Sequence, residues 1–160
     1  MDFFEVVDKR HSVRKFSDRL VDRSLLDKIV EAASKAPSSR NSHSSAFMII
    51  EDKDVLEAMS HMRDYGSSLL SGAAAAIVVL GDPSLTDLWV DNCAISATMA
   101  HLATTACGLA SCWVHIKGRL VKKDDPSEGF SDDYIINLLG IKENLRPYCV
   151  IAIGYPQENI

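Results

Sequence analysis

The run Ala73–Leu80, AAAAIVVL, is followed directly by the turn residues Gly81, Asp82 and Pro83, and it decides the expected fold. Alanine alone would favour a helix, but the β-branched second half and the abrupt turn favour a strand. A strand without any polar side chain has no face that would favour exposure to solvent. The sequence therefore predicts a strand that is buried on both faces of a sheet.

Further strands and helices are expected on both sides of this run. The predicted strands cover residues 46–50, 111–116 and 148–153, and helices begin near Asp2, Ser24, Asp54, Thr86 and Ser131. Strands and helices intermingle without regular β-α-β repetition. The predicted class is therefore α+β.

Length and composition describe an ordinary globular chain. With 160 residues, 47% hydrophobic and 24% charged, we expect a single domain over residues 1–160. A net charge of -5 argues against a general nucleic-acid binder, which usually carries a basic excess. Acidic and basic residues interrupt any apolar leader, and the longest apolar stretch, residues 95–114, contains His101. We therefore expect no signal peptide, no membrane span and a cytoplasmic protein.

The chain lacks the patterns of several catalytic classes. Its four cysteines, at positions 93, 107, 112 and 149, have no C-x-x-C spacing and no histidine pair spaced for a metal. We expect buried, reduced thiols. Neither a glycine-rich phosphate loop nor a Ser-His-Asp order is present. The chemistry would therefore depend on a bound cofactor.

The longest predicted helix, residues 86–107, has a stripe that is apolar except for Asn92. The stripe consists of Leu88, Asn92, Ile95, Met99, Leu102 and Ala106. The opposite side consists mostly of small residues. This helix is therefore expected to be central or to lie at a subunit interface.

Two segments have the composition of an anion site. Arg10 and Arg14 flank Ser12 near the N-terminus, and guanidinium groups bind phosphate oxygens through paired hydrogen bonds. The segment 36–41, APSSRN, adds short hydroxyl and amide side chains. Surface charges at a helix end and a flexible linker are the alternative interpretations.

Four motifs in register resemble the nitroreductase family of FMN-dependent enzymes. They are RHSVRKF at 10–16, APSSRNS at 36–42, GLASCW at 108–113 and IGYP at 153–156, so the resemblance covers residues 3–156. It implies a three-layer α+β sandwich with a central, mostly antiparallel sheet flanked by helices. It also implies an intertwined homodimer with two FMN sites at the interface.

The resemblance assigns the cofactor contacts residue by residue. Arg10, His11 and Ser12 belong to the motif that would hold the FMN phosphate, and Arg14 would lie toward the ribityl chain and pyrimidine edge. The partner chain would contribute Pro37, Ser38, Ser39 and Asn41, and the segment Trp113, Val114, His115 and Ile116 would pass near the reactive edge of the flavin. His115 would be the one titratable group near the substrate.

This chain departs from the family pattern in three places. His43, Ser44 and Ser45 replace a common Gln-Pro-Trp run, and the sequence ends four residues after Pro156, before the usual basic residues. Phosphate binding is therefore expected to depend more on Arg10 and Arg14. Relatives also carry longer insertions that cover the substrate pocket, and this chain has little beyond the segment 117–130 for that role.

The sequence predicts a cytoplasmic oxidoreductase. It would transfer hydride from NADH or NADPH through FMN to nitroaromatic, quinone or related acceptors by a ping-pong mechanism. The alternatives are a flavin-binding module without NAD(P)H turnover and a branch that carries out reductive dehalogenation or flavin processing. The physiological acceptor and the choice between the two nucleotides stay open.

Overall fold

The computed structural model of this protein describes residues 1–157, which form a four-stranded antiparallel sheet with five helices. The strand order is β1-β2-β4-β3. The strands are β1 (Ser45–Ile50), β2 (Ala75–Gly81), β3 (Ala110–His115) and β4 (Arg146–Gly154). The helices are α1 (Phe3–Lys9), α2 (Arg23–Ser34), α3 (Lys53–Ser60), α4 (Trp89–Ala106) and α5 (Ser131–Leu139).

The strand β2 is buried along its whole length, as its composition predicts. Ala76, Val78 and Leu80 contribute to one core, which α3 and α5 cover. Ile77 and Val79 contribute to a second core on the opposite face, which α2 and α4 cover. Helices therefore cover both faces of the sheet, and the predicted three-layer α+β architecture is confirmed.

Helix α4 buries its small and polar side rather than its large apolar stripe. The buried residues are Asn92, Cys93, Ser96, Ala97, Ala100, His101 and Thr104. Leu88, just before the helix, is 47% exposed, and Ile95 is 40% exposed. Small side chains let a helix approach a sheet closely, and close packing favours that contact. As a consequence, four polar side chains of this helix lie inside the protein: Asn92, Ser96, His101 and Thr104.

The segment between α1 and α2 runs along the free edge of β3. The Val13 amide donates to the Ser111 carbonyl at 2.9 Å, and Ser12 and Ser111 form a parallel bridge. Farther along, Phe16 packs against Gly154 so closely that a Cβ on this glycine would lie 2.9 Å from the ring. The sheet edge therefore fixes the position of the first basic motif.

Within residues 1–157, no helix is long and apolar enough to cross a membrane.

Candidate functional site

Arg10 is held by a buried histidine of α4. Its Nη1 donates to His101 Nε2 at 3.4 Å, and His101 Nδ1 lies 2.5 Å from Ser111 Oγ. A guanidinium group carries only donors, so Nε2 must accept and the ring proton must lie on Nδ1. His101 therefore donates to Ser111, and this chain of hydrogen bonds connects Arg10 to the start of β3.

The same surroundings keep His101 uncharged. Burial lowers its pKa to about 4, and the neighbouring charge of Arg10 acts in the same direction. A neutral ring is the form that can accept from the guanidinium group. The positive charge at this position therefore belongs to Arg10 alone at neutral pH.

Arg14 and Lys15 line a groove of about 540 Å³ beside Cys112 and Trp113 of β3. The opposite wall is formed by the loop 64–69. Burial raises the pKa of the Cys112 thiol. The charge of Arg14 and a hydrogen bond with Ser12 lower this pKa by a smaller amount. The thiol is therefore protonated at neutral pH, so Cys112 does not neutralise the charge of Arg14.

The cations of the first motif lack carboxylate partners. No salt bridge among the described residues involves Arg10, Arg14 or Lys15. The exposed His11 ring turns away and contacts the Lys9 carbonyl through Nδ1 at 2.9 Å. Guanidinium groups that have no carboxylate partner are suited to bind an anionic ligand.

The second motif is organised by Asn92, which α4 buries. Its Oδ1 accepts from the Ser39 amide at 3.0 Å, and its Nδ2 donates to the hydroxyls of Ser39, Ser42 and Ser44 at 3.2, 3.2 and 2.9 Å. Thr86 adds a hydroxyl contact to Ser39 at 3.1 Å. One amide side chain therefore determines the shape of the serine-rich loop.

This loop contains backbone conformations that are unfavourable for most residues. Arg40, Asn41 and His43 have φ values of 50°, 54° and 48°. Left-handed geometry costs an L-residue roughly 1–2 kcal/mol, less for asparagine. The hydrogen bond from the His43 amide to Ser38 Oγ at 3.1 Å, together with Asn92, stabilises this arrangement. Exposed Pro37 and Asn41 are left on the outer surface of the loop.

The side chains of the segment from Trp113 to Ile116 alternate between the two faces of the sheet. Val114 and Ile116 are fully buried on the side of α3 and α5, so their side chains are part of that core. Trp113 and His115 lie on the opposite face, where the Trp113 Nε1 donates to His115 Nδ1 at 3.3 Å. Both rings pack edge to face with Tyr148. Only Trp113 and His115 are left half-exposed.

The His115 ring is neutral and its tautomer is fixed. Burial lowers its pKa, and the charges of Arg119 and Arg63 lower it further. Since the indole only donates, Nδ1 accepts and the proton lies on Nε2. His115 can therefore offer a hydrogen-bond donor without carrying a charge.

The two predicted groups of site residues are held at different points of α4. Asn92, which holds the loop 38–44, and His101, which holds Arg10, are nine residues apart on α4. At a rise of 1.5 Å per residue, this spacing separates them by about 13 Å along the helix axis. Sequence reasoning did not assign a role to either residue. The signal was present, since each is a polar side chain in a helix that is otherwise apolar or small.

Comparison with known proteins supplies independent evidence. The nitroreductase family profile matches residues 7–88. A Methanothermobacter thermautotrophicus protein, provisionally named an NADH dehydrogenase/NAD(P)H nitroreductase, is 33% identical over 99% of this chain and 80% of its own length. The structure of an FMN-dependent nitroreductase from Clostridium difficile R20291 has a TM-score of 0.91 and 34% identity, covering 98% of this chain and 89% of that one. An iodotyrosine deiodinase from Haliscomenobacter hydrossis is 22% identical over 98% of this chain and 80% of its own length.

Replacing Asn92 with alanine should loosen the serine-rich loop. The substitution removes the acceptor of the Ser39 amide and leaves several hydroxyls without their donor, so we expect a loss of about 1–3 kcal/mol in the free energy of unfolding. Urea denaturation measures this loss, and hydrogen exchange of the Ser39 and His43 amides should become faster. Asn137→Ala, on the exposed surface of α5, is the matched control. Unchanged exchange at both amides would contradict the assigned role of Asn92.

Acid should destabilise the protein through His101. The pKa of this group falls from an ordinary value of 6.5 to about 4 on folding. Between these pH values the unfolded chain binds a proton here that the folded chain does not, so the free energy of unfolding decreases as the pH falls. His101→Gln keeps an acceptor for Arg10 but does not titrate, so it should lose less stability between about pH 7 and about pH 5 than the wild type. The exposed His61→Gln variant should behave like the wild type, and equal losses in all three proteins would refute the assignment.

Proposed function

This chain belongs to the nitroreductase family, and from that premise we propose that it is an FMN-dependent oxidoreductase. It takes hydride from NADH or NADPH and reduces nitroaromatic, quinone or related acceptors. The observation that carries the proposal is the pair of guanidinium groups, Arg10 and Arg14, beside β3. Neither takes part in a salt bridge among the described residues.

The donor set suits a phosphorylated flavin. Arg10 is oriented by His101 and would hold the phosphate together with the exposed Ser12, with His11 beside them. Arg14 lines the groove along β3, where a fixed positive charge would stabilise the negative charge of a reduced pyrimidine ring. Bound FMN would accept a hydride and release its electrons again, which is chemistry that the side chains of this site do not supply themselves.

The protein side of the reaction consists of positioning and of one hydrogen bond to the substrate. We assign that hydrogen bond to His115, whose neutral ring has its proton on Nε2 and faces the same side of β3 as Trp113. Val114 and Ile116, with buried side chains, would contribute through their main chain only. Few polar groups would then contact the reacting end of the substrate, so the choice of acceptor group should be broad.

A second copy of the chain would complete each site. Pro37, Ser38, Ser39 and Asn41 of the same chain do not line the groove that contains Arg14. The aromatic residues Phe3 and Phe4 of α1 are 64% and 76% exposed, and α4, which packs beside α1, exposes Ile95. A two-fold interface on these helices would bury this apolar surface and bring the partner's loop to the groove.

Reductive dehalogenation is a second candidate. It is supported by the likeness to the iodotyrosine deiodinase over nearly the whole chain. It would use the same FMN groove and the same neutral His115. The two candidates would differ in the acceptor that they reduce. Activity with an iodinated phenol in place of a quinone would therefore distinguish them.

Replacing Arg10 with alanine should weaken FMN binding. A charge-assisted hydrogen bond contributes about 1.5–3 kcal/mol, which corresponds to a roughly tenfold to 150-fold rise in the FMN dissociation constant. Quenching of flavin fluorescence measures this constant. Arg23→Ala is the control, since Arg23 is already paired with Asp27 and Glu51. An unchanged constant for Arg10→Ala would make Arg10 an ordinary surface charge.

Anaerobic stopped-flow mixing tests the activity. The FMN-loaded protein, which should sediment as a dimer, is mixed with NADH or NADPH, and loss of the flavin absorbance is followed. We expect bleaching by at least one nucleotide and recovery with a quinone or a nitroaromatic. Because one pocket would serve both substrates in turn, double-reciprocal plots should give parallel lines. If dithionite bleaches the flavin and neither nucleotide does, the chain is a flavin-binding module and the reductase proposal fails.

A further inference from the structure

A second basic cavity lies next to the groove that contains Arg14. It has a volume of about 400 Å³ and is lined by Arg63, Asp64, Tyr65, Gly118, Arg119, Leu120 and Lys123. We propose that Arg63, Arg119 and Lys123 form an oxyanion site that binds the anionic group of the substrate reacting at the flavin. This inference rests on the proposed function and adds that the substrate is an anion.

Arg63 is held rigidly in this cavity. Its Nη1 donates to the His115 carbonyl at 3.2 Å, which ties it to the end of β3. On the other side the chain turns at Gly66, where φ is 94° and a Cβ would lie 3.7 Å from the guanidinium carbon. The guanidinium group is therefore fixed before any ligand binds, which reduces the entropy lost on binding.

The cavity holds more positive than negative charge. Burial lowers the pKa of Arg63, and the nearby charge of Arg119 lowers it further, with a smaller opposing effect of Asp64. The Asp64 carboxylate accepts the Lys123 amide at 3.2 and 3.3 Å, so its position is set by the main chain. The salt bridges within residues 1–157 include none of the three cations. An oxyanion would relieve the repulsion between the two guanidinium groups.

The backbone around the cavity is preorganised as well. The Asp64 amide donates to the Val121 carbonyl at 2.8 Å, and the Ser131 amide donates to the Arg119 carbonyl at 2.7 Å. The first bond joins the loop after α3 to the segment before α5, and the second joins that segment to the start of α5. The main chain that carries the three cations therefore belongs to two connected loops.

The position of the cavity relates it to the reaction. Asp64 and Tyr65 line both this cavity and the groove that we assign to FMN. A molecule stacked on the flavin could therefore extend its anionic group across Tyr65 toward Arg63. The oxyanion is either a phosphate of the nucleotide donor or a carboxylate of the acceptor, and the experiment separates these two sources.

The test uses the FMN-loaded double variant Arg119→Gln/Lys123→Gln, since both side chains are exposed and Arg63 is left in place. The control is Lys122→Gln, whose exposed ammonium group pairs with Glu128 outside the cavity. Steady-state kinetics give KM for each nucleotide, for para-nitrobenzoate and for the uncharged para-nitrobenzamide. If the cavity binds a phosphate of the nucleotide, KM for one or both nucleotides should rise about tenfold in the double variant, because ionic hydrogen bonds are lost. If it binds a carboxylate of the acceptor, KM should rise by the same factor for para-nitrobenzoate alone. The uncharged amide should keep its KM, and the FMN dissociation constant should not change.

Calorimetric titration of the FMN-loaded protein with inorganic pyrophosphate gives a readout that does not depend on turnover. The wild type and Lys122→Gln should bind pyrophosphate, and the double variant should bind it at least tenfold more weakly. If neither nucleotide reduces the flavin, the proposed function fails, while the pyrophosphate titration still decides the anion site. The inference is overturned if the double variant binds pyrophosphate as the wild type does and every measurable KM stays unchanged, or if the double variant loses FMN.

Discussion

Asn92 and His101 are polar side chains that α4 buries against the sheet, where each unpaired donor or acceptor would cost about 1–3 kcal/mol. Both are satisfied, and no buried side-chain polar atom among the described residues lacks a partner. The partners of Asn92 come from the loop 38–44, and those of His101 are Arg10 of the edge segment and Ser111 of β3. The requirement to satisfy two buried side chains therefore gives two irregular segments a defined shape, and both carry candidate site residues.

The distribution of charge follows from the same arrangement. The chain has a net charge of -5, yet the grooves on either side of Tyr65 are lined by cations. His101 and His115 are both buried enough to stay neutral, so arginine and lysine supply the positive charge there. A concave surface of one sign concentrates ligands of the opposite sign. Such grooves would let an acidic protein bind a phosphorylated cofactor and the anionic substrate proposed above.

The orientation of α4 also explains why a second chain is expected at the site. The helix directs its small and polar residues inward, and the larger apolar residue Ile95 is left on the outer surface. That exposed apolar surface, and a groove that the loop 38–44 of the same chain does not line, both favour a dimer. A partner chain would cover the apolar residues and supply the missing half of the site.

The sequence alone determined the class of fold, the positions of the strands and helices and the family, because these depend on side-chain patterns over a few neighbouring residues and on four short motifs. The tertiary structure decided which residues share a site. Ser39 meets Asn92, Arg10 meets His101, and Arg63 lies near Arg119, each across a long stretch of chain. It also separated Val114 and Ile116 from Trp113 and His115, although the four are neighbours in sequence. Alternation in a strand predicts two faces, but only the packing of helices on both sides determines which face becomes core and which becomes site.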